Sequence, residues 1–497
     1  MTSWVTQNPM LPWLLVACLP AETDPQGVDP APEIDAKLVA APAFDPTSAT
    51  PLTWTVSGKD ADAAATGSIL DESGDVVRKQ VASGVGWDGR DDAGALAATG
   101  AYTLVVGADE KMREHPFAMV RAGLVNAYAE DDDGTTATRV PLYWSARRHI
   151  QDVDDAFVAV GAVDDSDGAA TPLPAVGDNL VLAEDDAAQP LAYTYDSRPI
   201  LTVQLGDTSN YGAANLIGAD LHVVADGWTV LDDAALVDGG MVTLQRDEPL
   251  AATLGVTEER LSLAVVALDS AGTSWPINEL SVPLRIYRLL DSPTWEAEGE
   301  RYFPWVDAVD PALRALEGTA AERNAVLDAL VRWVYEDNGL EYDTVYGASV
   351  YTTYAGNDWE RANFDMGGYL SRKFGVVVNC TDCAGIIVGF GNMLGADVDY
   401  AIIGFNFDLN YILAIGGDEF SHCPFGPGGC GFSYHAVAMS PESDLIWDAT
   451  LALDGDADPG SAPHDELLVQ AIDADEYLER LAKTRTEYAY QAQGTLQ

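Results

Sequence analysis

Short apolar runs separated by turn-forming residues fill the middle of the chain. The runs at 52–56 and 261–267 alternate apolar and polar positions or are rich in β-branched residues. Regularly spaced runs of this kind, divided by Asp and Gly turns, are typical of β-sandwiches. The pattern predicts a β-sandwich over residues 49–110 and one or two further β-sandwich modules over residues 111–290.

The apolar period changes to that of a helix after about residue 290. An apolar stripe at helical spacing consists of Val326, Leu327, Leu330, Val331 and Val334. Thr319 and Glu322 stand three positions apart, as in a capping box, and Gly339 follows as a stop signal. The pattern predicts an amphipathic helix over residues 320–338.

A second helical segment begins at a cysteine. Residues 381–394 are apolar and rich in small side chains, which predicts a buried helix that packs closely against a sheet. Cys380 falls at the predicted N-terminus. The unpaired N–H groups and the dipole at a helix N-terminus stabilise a thiolate, which is the nucleophilic form of cysteine. Cys380 is therefore a candidate catalytic nucleophile.

Two strand-like runs follow, one around His435 and the other around Asp448. Strands that come after helices predict an α+β domain over residues 291–497. A turn centred between Pro441 and Glu442 would place His435 directly opposite Asp448 on one face of the sheet. Asp448 would then accept a hydrogen bond from Nδ1 of His435 and orient the imidazole as the base for Cys380.

These motifs resemble those of the transglutaminase-like domain superfamily, which has a papain-like α+β fold. The resemblance rests on Cys380-Thr-Asp-Cys-Ala at the start of an apolar helix, on His435-Ala, and on Trp447-Asp448-Ala-Thr. It covers about residues 315–455. It implies that Cys380 attacks an amide carbonyl, that His435 transfers the proton and that Asp448 orients His435.

The chain departs from the pattern of this superfamily at three places. Cys383 replaces the customary aromatic residue, Val437 stands where Trp commonly follows His-Ala, and a long insert at 406–431 precedes the histidine strand. The resemblance also implies an oxyanion-hole donor besides the backbone N–H of Cys380, and Trp359 is the candidate. The expected substrate is a protein or a cell-wall peptide, which would be hydrolysed or used as an acyl donor. The alternative is a catalytically idle surface-binding protein with the same fold.

Four of the five cysteines lie in the last quarter of the chain, which leaves other chemistries open. Cys380 and Cys383 could belong to a redox motif or to a zinc site that recruits Cys423, Cys430 or His422. However, a second short Cys-x-x-Cys knuckle and a βαβ frame are both lacking. In an exported protein, Cys423 and Cys430 would close a small disulfide loop. Cys380 and Cys383 would then remain free thiols.

A more local resemblance lies near the start of the β-rich region. Residues 87–94 read Trp-Asp-Gly-Arg-Asp-Asp-Ala-Gly, and a strand-like run follows at 98–106. This arrangement resembles the immunoglobulin-like domain of flagellar-hook capping proteins over about residues 45–108. The resemblance implies a spacer or binding module and no catalytic role.

The formal charge of the chain is −53, from 79 acidic and 26 basic residues. A field of this sign repels nucleic acids and anionic membrane surfaces, so neither is an expected partner. Acidic turns at 130–134 and 164–168 could bind Ca²⁺, but they lack the full spacing of a helix–loop–helix calcium loop. We expect solvated turns there, and no cofactor.

The first fifty residues suggest export. The apolar run at 11–18 is too short to span a bilayer and is typical of a signal-peptide core. Leu15-Val-Ala-Cys18 resembles the bacterial lipobox, in which the cysteine is lipidated. Residues 1–18 contain no basic residue, so a plain signal peptide and a cytosolic protein remain alternatives. Residues 19–48 are acidic and rich in proline, which predicts an extended tether between a lipid anchor and the folded domains.

Overall fold

The computed structural model describes three regions of the chain, each with its own hydrophobic core among the described residues. The described residues are 36–46, 51–58, 66–108, 111–120, 124–130, 140, 142–143, 159–160, 188–205, 220–232, 241–294, 304–354, 361–417, 419–420, 431–459, 462–483 and 488–496. Within these residues, no helix is long and apolar enough to cross a membrane.

The first region is a small β domain. Its strands are β1 (Ala36–Ala40), β2 (Ala43–Phe44), β3 (Trp54–Gly58), β4 (Thr66–Asp71), β5 (Val76–Ala82), β6 (Gly100–Ala108) and β7 (Lys111–Met119). The order β2-β7-β6-β4-β5 forms one sheet, and β1 pairs with β3 in a second. Aromatic rings fill the core: the Trp87 ring centroid lies 5.4 Å from that of Phe44 and 5.9 Å from that of Phe117.

This domain begins and ends outside its predicted bounds of 49–110. Strands β1 and β2 lie within the predicted tether at 19–48, and Phe44 is buried in the aromatic core. Strand β7 continues to Met119. The proline-rich composition of residues 19–48 predicted a tether. It gave no indication of β1 and β2, because these strands are short and β2 holds only two residues.

The second region is a two-sheet sandwich. Its strands are β8 (Leu124–Glu130), β9 (Leu142–Tyr143), β10 (Ala159–Val160), β11 (Gln189–Thr194), β12 (Ile200–Leu205), β13 (Asp220–Asp226), β14 (Trp228–Asp232), β15 (Met241–Arg246), β16 (Gly255–Leu268) and β17 (Ser274–Leu289). The four-stranded sheets β11-β17-β16-β13 and β14-β15-β12-β8 enclose a single core. The other two described strands between 124 and 289, β9 and β10, pair with each other in a separate two-stranded sheet.

The third region combines helices with a nine-stranded sheet. Its helices are α1 (Val306–Ala315), α2 (Arg323–Arg332), α3 (Met366–Leu370), α4 (Cys380–Met393) and α5 (Ala474–Leu481). Its strands are β18 (Glu341–Tyr342), β19 (Thr352–Tyr354), β20 (Arg361–Phe364), β21 (Val377–Val378), β22 (Asp399–Phe407), β23 (Ile412–Ala414), β24 (Glu419–Phe420), β25 (Phe432–Met439), β26 (Leu445–Asp454), β27 (Glu466–Asp473) and β28 (Tyr488–Leu496). The main sheet runs β19-β20-β28-β22-β25-β26-β23-β24, with β27 paired to β26.

Helix α4 lies at the centre of this region. All fourteen of its residues are buried, as expected for a helix that is apolar on every side. Its glycines permit close packing: a Cβ on Gly385 would lie 2.4 Å from Oγ1 of Thr352. The helix packs against β25 and β26, which carry His435 and Asp448.

Helix α2 is shorter than predicted. It spans Arg323–Arg332 and continues as a single π-helical turn, Trp333–Asp337. The predicted capping box is wrong, because Glu322 is the N-cap residue and makes no side-chain cap hydrogen bond. The backbone of Thr319 instead accepts a hydrogen bond from Leu254 N–H at 2.9 Å, which ties this segment to the sandwich.

Candidate active site

A capping box fixes the N-terminus of α4. Asp382 donates its backbone N–H to Oδ1 of Asn379 at 3.1 Å, and Asn379 donates its N–H to Oδ2 of Asp382 at 3.4 Å. Cys380 is the first residue of the helix. The structure thus places the predicted nucleophile at a helix terminus whose geometry is set by side-chain hydrogen bonds.

Asp382 also connects this terminus to the neighbouring strand. Its carboxylate accepts backbone N–H groups from Val350 at 2.9 Å, Tyr351 at 2.8 Å and Thr352 at 2.7 Å. Burial raises the pKa of Asp382 to about 6, although these backbone donors act in the opposite direction. Segment 350–352 is therefore held against the first turn of α4.

His435 and Asp448 form a buried pair. The Nε2 atom of His435 lies 2.8 Å from Oδ2 of Asp448, and the two side chains are 0% and 1% exposed. Oδ2 also accepts the hydroxyl of Tyr477 at 2.8 Å, and Oδ1 accepts the N–H of Thr450 at 2.7 Å. Three donors around one buried carboxylate stabilise its charge and hold the imidazole ring in place.

The predicted register of β25 and β26 is wrong by two residues. Ala438 lies opposite Trp447, which centres the turn between Glu442 and Ser443 and not one residue earlier. A two-residue shift keeps alternate side chains on the same face, so His435 and Asp448 still meet although they are not directly opposed. The contact also uses Nε2 of His435, whereas the sequence argument assigned Nδ1.

The other ring nitrogen of His435, Nδ1, is not used in the contact with Asp448. Among the described residues, Nδ1 is buried and has no hydrogen-bond partner. Burial alone would lower the pKa of His435. The charge and hydrogen bond of Asp448, together with the Cys380 thiol, outweigh that effect and raise the pKa to about 10. An imidazolium stabilised in this way is a suitable partner for a thiolate.

Cys380 opens onto a cleft of about 540 Å³. The side chain is only 4% exposed, but it contributes to the cleft lining. The described lining residues are Tyr342, Val345, Tyr346, Gly347, Asn379, Cys380, Asn406, Phe407, Asp408, Gly431, Phe432, Ser433 and Tyr434. Within this set, Asp408 is the single acidic residue and no basic residue occurs.

Aromatic rings lie between the cleft and the buried His435–Asp448 pair. The Phe432 ring stacks on the imidazole of His435, with centroids 4.9 Å apart and planes inclined by 7°. Tyr342 is 5% exposed, and its pKa is raised by burial and then by the nearby Cys380 and Cys383 thiols. Phe432 therefore contacts both the cleft and the buried His435 ring.

Several other predicted site residues lie outside the described residues. They are Trp359, Cys423, Cys430 and Cys18, and the acidic turns at 131–134 and 164–168 lie outside as well. Cys380 and Cys383 are both free thiols. Among the described residues, no group of three or more His, Cys, Asp or Glu side chains has an arrangement that would hold a metal ion.

The sequence analysis did not predict that Asp382 holds segment 350–352 against α4. It also did not predict that Tyr477 donates a hydrogen bond to Asp448. The spacing of Asn379 and Asp382 would have indicated the capping box, since the two residues stand three positions apart before an apolar run. Tyr477 gives no comparable signal. It lies 29 positions after Asp448 on another element, and only the packing of α5 against β26 brings the two together.

Comparison with known families identifies part of the chain. Residues 42–111 match the family model of the FlgD Ig-like domain, which confirms the resemblance proposed for the N-terminal β domain. The match covers a small part of the chain and assigns no family to the rest. No curated protein matches the sequence. The transglutaminase-like resemblance of the third region stays a prediction.

Proposed function

We propose that the third region is a transglutaminase-like cysteine enzyme that acts on amide bonds of proteins or peptides. One arrangement carries the proposal. Cys380 stands at a capped helix N-terminus on an open cleft, and the buried His435–Asp448 pair has an unbonded Nδ1 among the described residues. A nucleophile, a base and an orienting carboxylate are the elements that acyl transfer needs.

The chemistry follows from these positions. The Cys380 sulfur attacks the amide carbonyl as a thiolate, and His435 holds the proton as an imidazolium. Collapse of the tetrahedral intermediate breaks the C–N bond, and the imidazolium gives its proton to the departing amine. The remaining thioester on Cys380 is attacked by water in hydrolysis or by a second amine in acyl transfer. In both cases His435 accepts the proton of the attacking group.

The cleft favours a neutral or basic peptide segment. Its described lining is rich in aromatic side chains, which bind apolar and cationic groups. Asp408 lines the cleft, is exposed to solvent and would repel acidic residues. An overall charge of −53 acts in the same direction over longer distances. The proposed substrate is therefore a protein or cell-wall peptide without acidic residues next to the scissile bond.

We place the protein at the bacterial cell envelope. The apolar run at 11–18 and the match to an immunoglobulin-like domain of a surface structure support export. Cys18 would carry the lipid, and the immunoglobulin-like domain and the sandwich would act as spacers. Growth with an alkyne-labelled fatty acid tests this placement: label on the wild-type protein that is lost in Cys18→Ala supports the anchor, and an unlabelled wild-type protein contradicts it.

The activity is tested by trapping the acyl-enzyme. Purified protein is mixed with p-nitrophenyl acetate, and the intact mass is measured after rapid acid quenching. The proposal predicts one acetyl group per chain on the wild type, none on Cys380→Ala, and retention on Cys383→Ala, which removes a thiol that is buried in the core. Absence of the acetyl group from the wild-type protein would favour the alternative of an idle surface-binding protein.

A further inference from the structure

The tetrahedral intermediate formed at Cys380 needs hydrogen-bond donors for its oxyanion. The first turn of a helix has N–H groups without intrahelical acceptors, and the capping box uses that of Asp382. The N–H of Cys380 remains to serve the intermediate. A single backbone donor is a weak oxyanion hole, since such sites commonly use two or more donors.

Tyr434 lies where a second donor would act. It lines the cleft together with Cys380 and directly precedes His435 on β25. Consecutive residues of a regular strand point to opposite faces. The pairing with β22 is irregular at this point, because His435 pairs with Ile403 and Tyr434 with Phe405. Gly404 lies between Ile403 and Phe405 on β22 and has a φ of +56°, which glycine adopts without strain. Irregularities of this kind redirect side chains.

A chain of hydroxyl groups fixes the position of the Tyr434 oxygen. Tyr434 OH lies 2.8 Å from Oγ1 of Thr381, the residue after Cys380. Thr381 lies 3.4 Å from the hydroxyl of Tyr354, which is 2.6 Å from that of Tyr400. When each hydroxyl donates to the next one toward Tyr434, Thr381 donates to the phenol oxygen of Tyr434. The chain thus anchors the phenol oxygen beside the same helix turn that carries the backbone donor.

The protonation state of Tyr434 fits this role. Burial, followed by the electrostatic interaction with Cys380, raises the pKa of Tyr434 above its ordinary value. The phenol therefore keeps its proton at neutral pH and can donate it in a hydrogen bond. The influence of Cys380 on this pKa also reflects the proximity of the two side chains.

We infer that Tyr434 is a catalytic residue whose hydroxyl, together with the backbone N–H of Cys380, stabilises the oxyanion of the tetrahedral intermediate. The inference rests on the proposed acyl transfer by Cys380. Thr381 is a positioning residue, because it acts by holding the Tyr434 oxygen. This assignment provides a side-chain donor within the described residues, where the sequence had suggested Trp359.

The test separates oxyanion stabilisation from thiolate reactivity. Acylation by p-nitrophenyl acetate passes through an oxyanion, whereas alkylation by iodoacetamide displaces iodide without one. Tyr434→Phe is expected to lower kcat for the ester by about 10²–10³-fold, with little change in KM and an unchanged alkylation rate. Thr381→Val, which keeps the backbone N–H but removes the anchor, is expected to give a smaller fall in kcat.

The control is Tyr193→Phe, which removes a buried hydroxyl that donates to the backbone carbonyl of Ile200 in the sandwich. It should leave both rates unchanged. Equal losses of acylation and alkylation in Tyr434→Phe would indicate a structural role and overturn the inference. An unchanged acylation rate in Tyr434→Phe would overturn the inference as well. If Tyr342→Phe lowered the acylation rate and Tyr434→Phe did not, the inference would also be wrong. A wild-type protein that alkylates rapidly but forms no acyl-enzyme would reject the proposed function itself.

Discussion

Nε2 of His435 lies 2.8 Å from Oδ2 of Asp448, and neither side chain is accessible to solvent. A buried carboxylate without a cationic partner is costly, and so is a buried imidazolium without an anionic one. Asp448 therefore stabilises the imidazolium of His435, whose pKa is raised to about 10. The contact with Asp448 uses Nε2, so Nδ1 of His435 can take part in proton transfer. The pair is therefore the centre of the proposed mechanism.

The charge of Asp448 should control the titration of His435. The raised pKa of about 10 means that the imidazolium persists through neutral pH and is lost as the pH rises through about 10. Asp448→Asn removes the charge that raises this pKa, so the titration of His435 should move to lower pH. NMR of ¹⁵N-labelled histidine measures the shift directly, and an unchanged pKa in Asp448→Asn would show that another group holds the proton.

The same pKa has a consequence for stability. Because the folded-state pKa is raised, the pair stabilises the fold fully below the unfolded value of about 6.5, and this contribution is lost as the pH rises through about 10. The difference in unfolding free energy between wild type and Asp448→Asn should therefore shrink between about pH 7 and pH 10. Urea titrations at several pH values measure it, and a constant difference would contradict the expectation.

Tyr477→Phe should destabilise the protein without removing any catalytic group. It deletes a hydroxyl that donates to the buried carboxylate of Asp448 at 2.8 Å. Hydrogen bonds to charged groups contribute about 1.5–3 kcal/mol. The matched change Tyr193→Phe removes a donor to a neutral backbone carbonyl and should cost about 1 kcal/mol. Equal losses of unfolding free energy in Tyr477→Phe and Tyr193→Phe would show that the charge of Asp448 does not strengthen its hydrogen bond with Tyr477.

Asn379→Ala should affect both stability and the reactivity of Cys380. The change removes the N-cap side chain of α4, which costs about 1 kcal/mol at typical caps, and it loosens the turn that carries Cys380. Alkylation of Cys380 should slow. Asp365→Ala removes the side-chain cap of α3 and serves as the control. If both variants lower the alkylation rate equally, the effect comes from general destabilisation and not from the helix terminus.

The N-terminal boundary of the immunoglobulin-like domain is tested at Phe44. This side chain is 3% exposed, and its ring centroid lies 6.0 Å from that of Phe117. Large-to-small changes at buried Phe residues cost about 3–5 kcal/mol. Phe44→Ala should lower the unfolding free energy by about that amount. A change within about 0.5 kcal/mol, which is typical of exposed positions, would place Phe44 outside the domain core.

The parts of the fold that the sequence predicted are those with strong local signals. The apolar run after Cys380 predicts the buried helix α4, and the alternation at 261–267 predicts part of β16, where Leu261, Leu263 and Val265 are buried. Helix α1 was not predicted as a separate element, because Pro311 stands inside it and proline normally interrupts a helix.

The details of the candidate site depended on longer-range geometry. The position of the turn between β25 and β26 decides the register, and the sequence Pro-Glu-Ser-Asp is compatible with more than one turn centre. His435 and Asp448 could still be paired, because both candidate registers place them on the same face. The roles of Tyr434 and Tyr477 depend on contacts between separate elements, which local patterns do not encode.

The rate of Cys380 alkylation by iodoacetamide tests the central claim most directly. The rate is measured near neutral pH on the native wild-type protein, on the urea-unfolded chain and on His435→Ala, with Cys380 quantified by peptide mass spectrometry. An activated thiolate predicts faster alkylation of Cys380 in the native protein than in the unfolded chain, and a clear fall in His435→Ala. Equal rates for the native and unfolded wild-type protein, with no effect of His435→Ala, would contradict the assignment of Cys380 as an activated nucleophile.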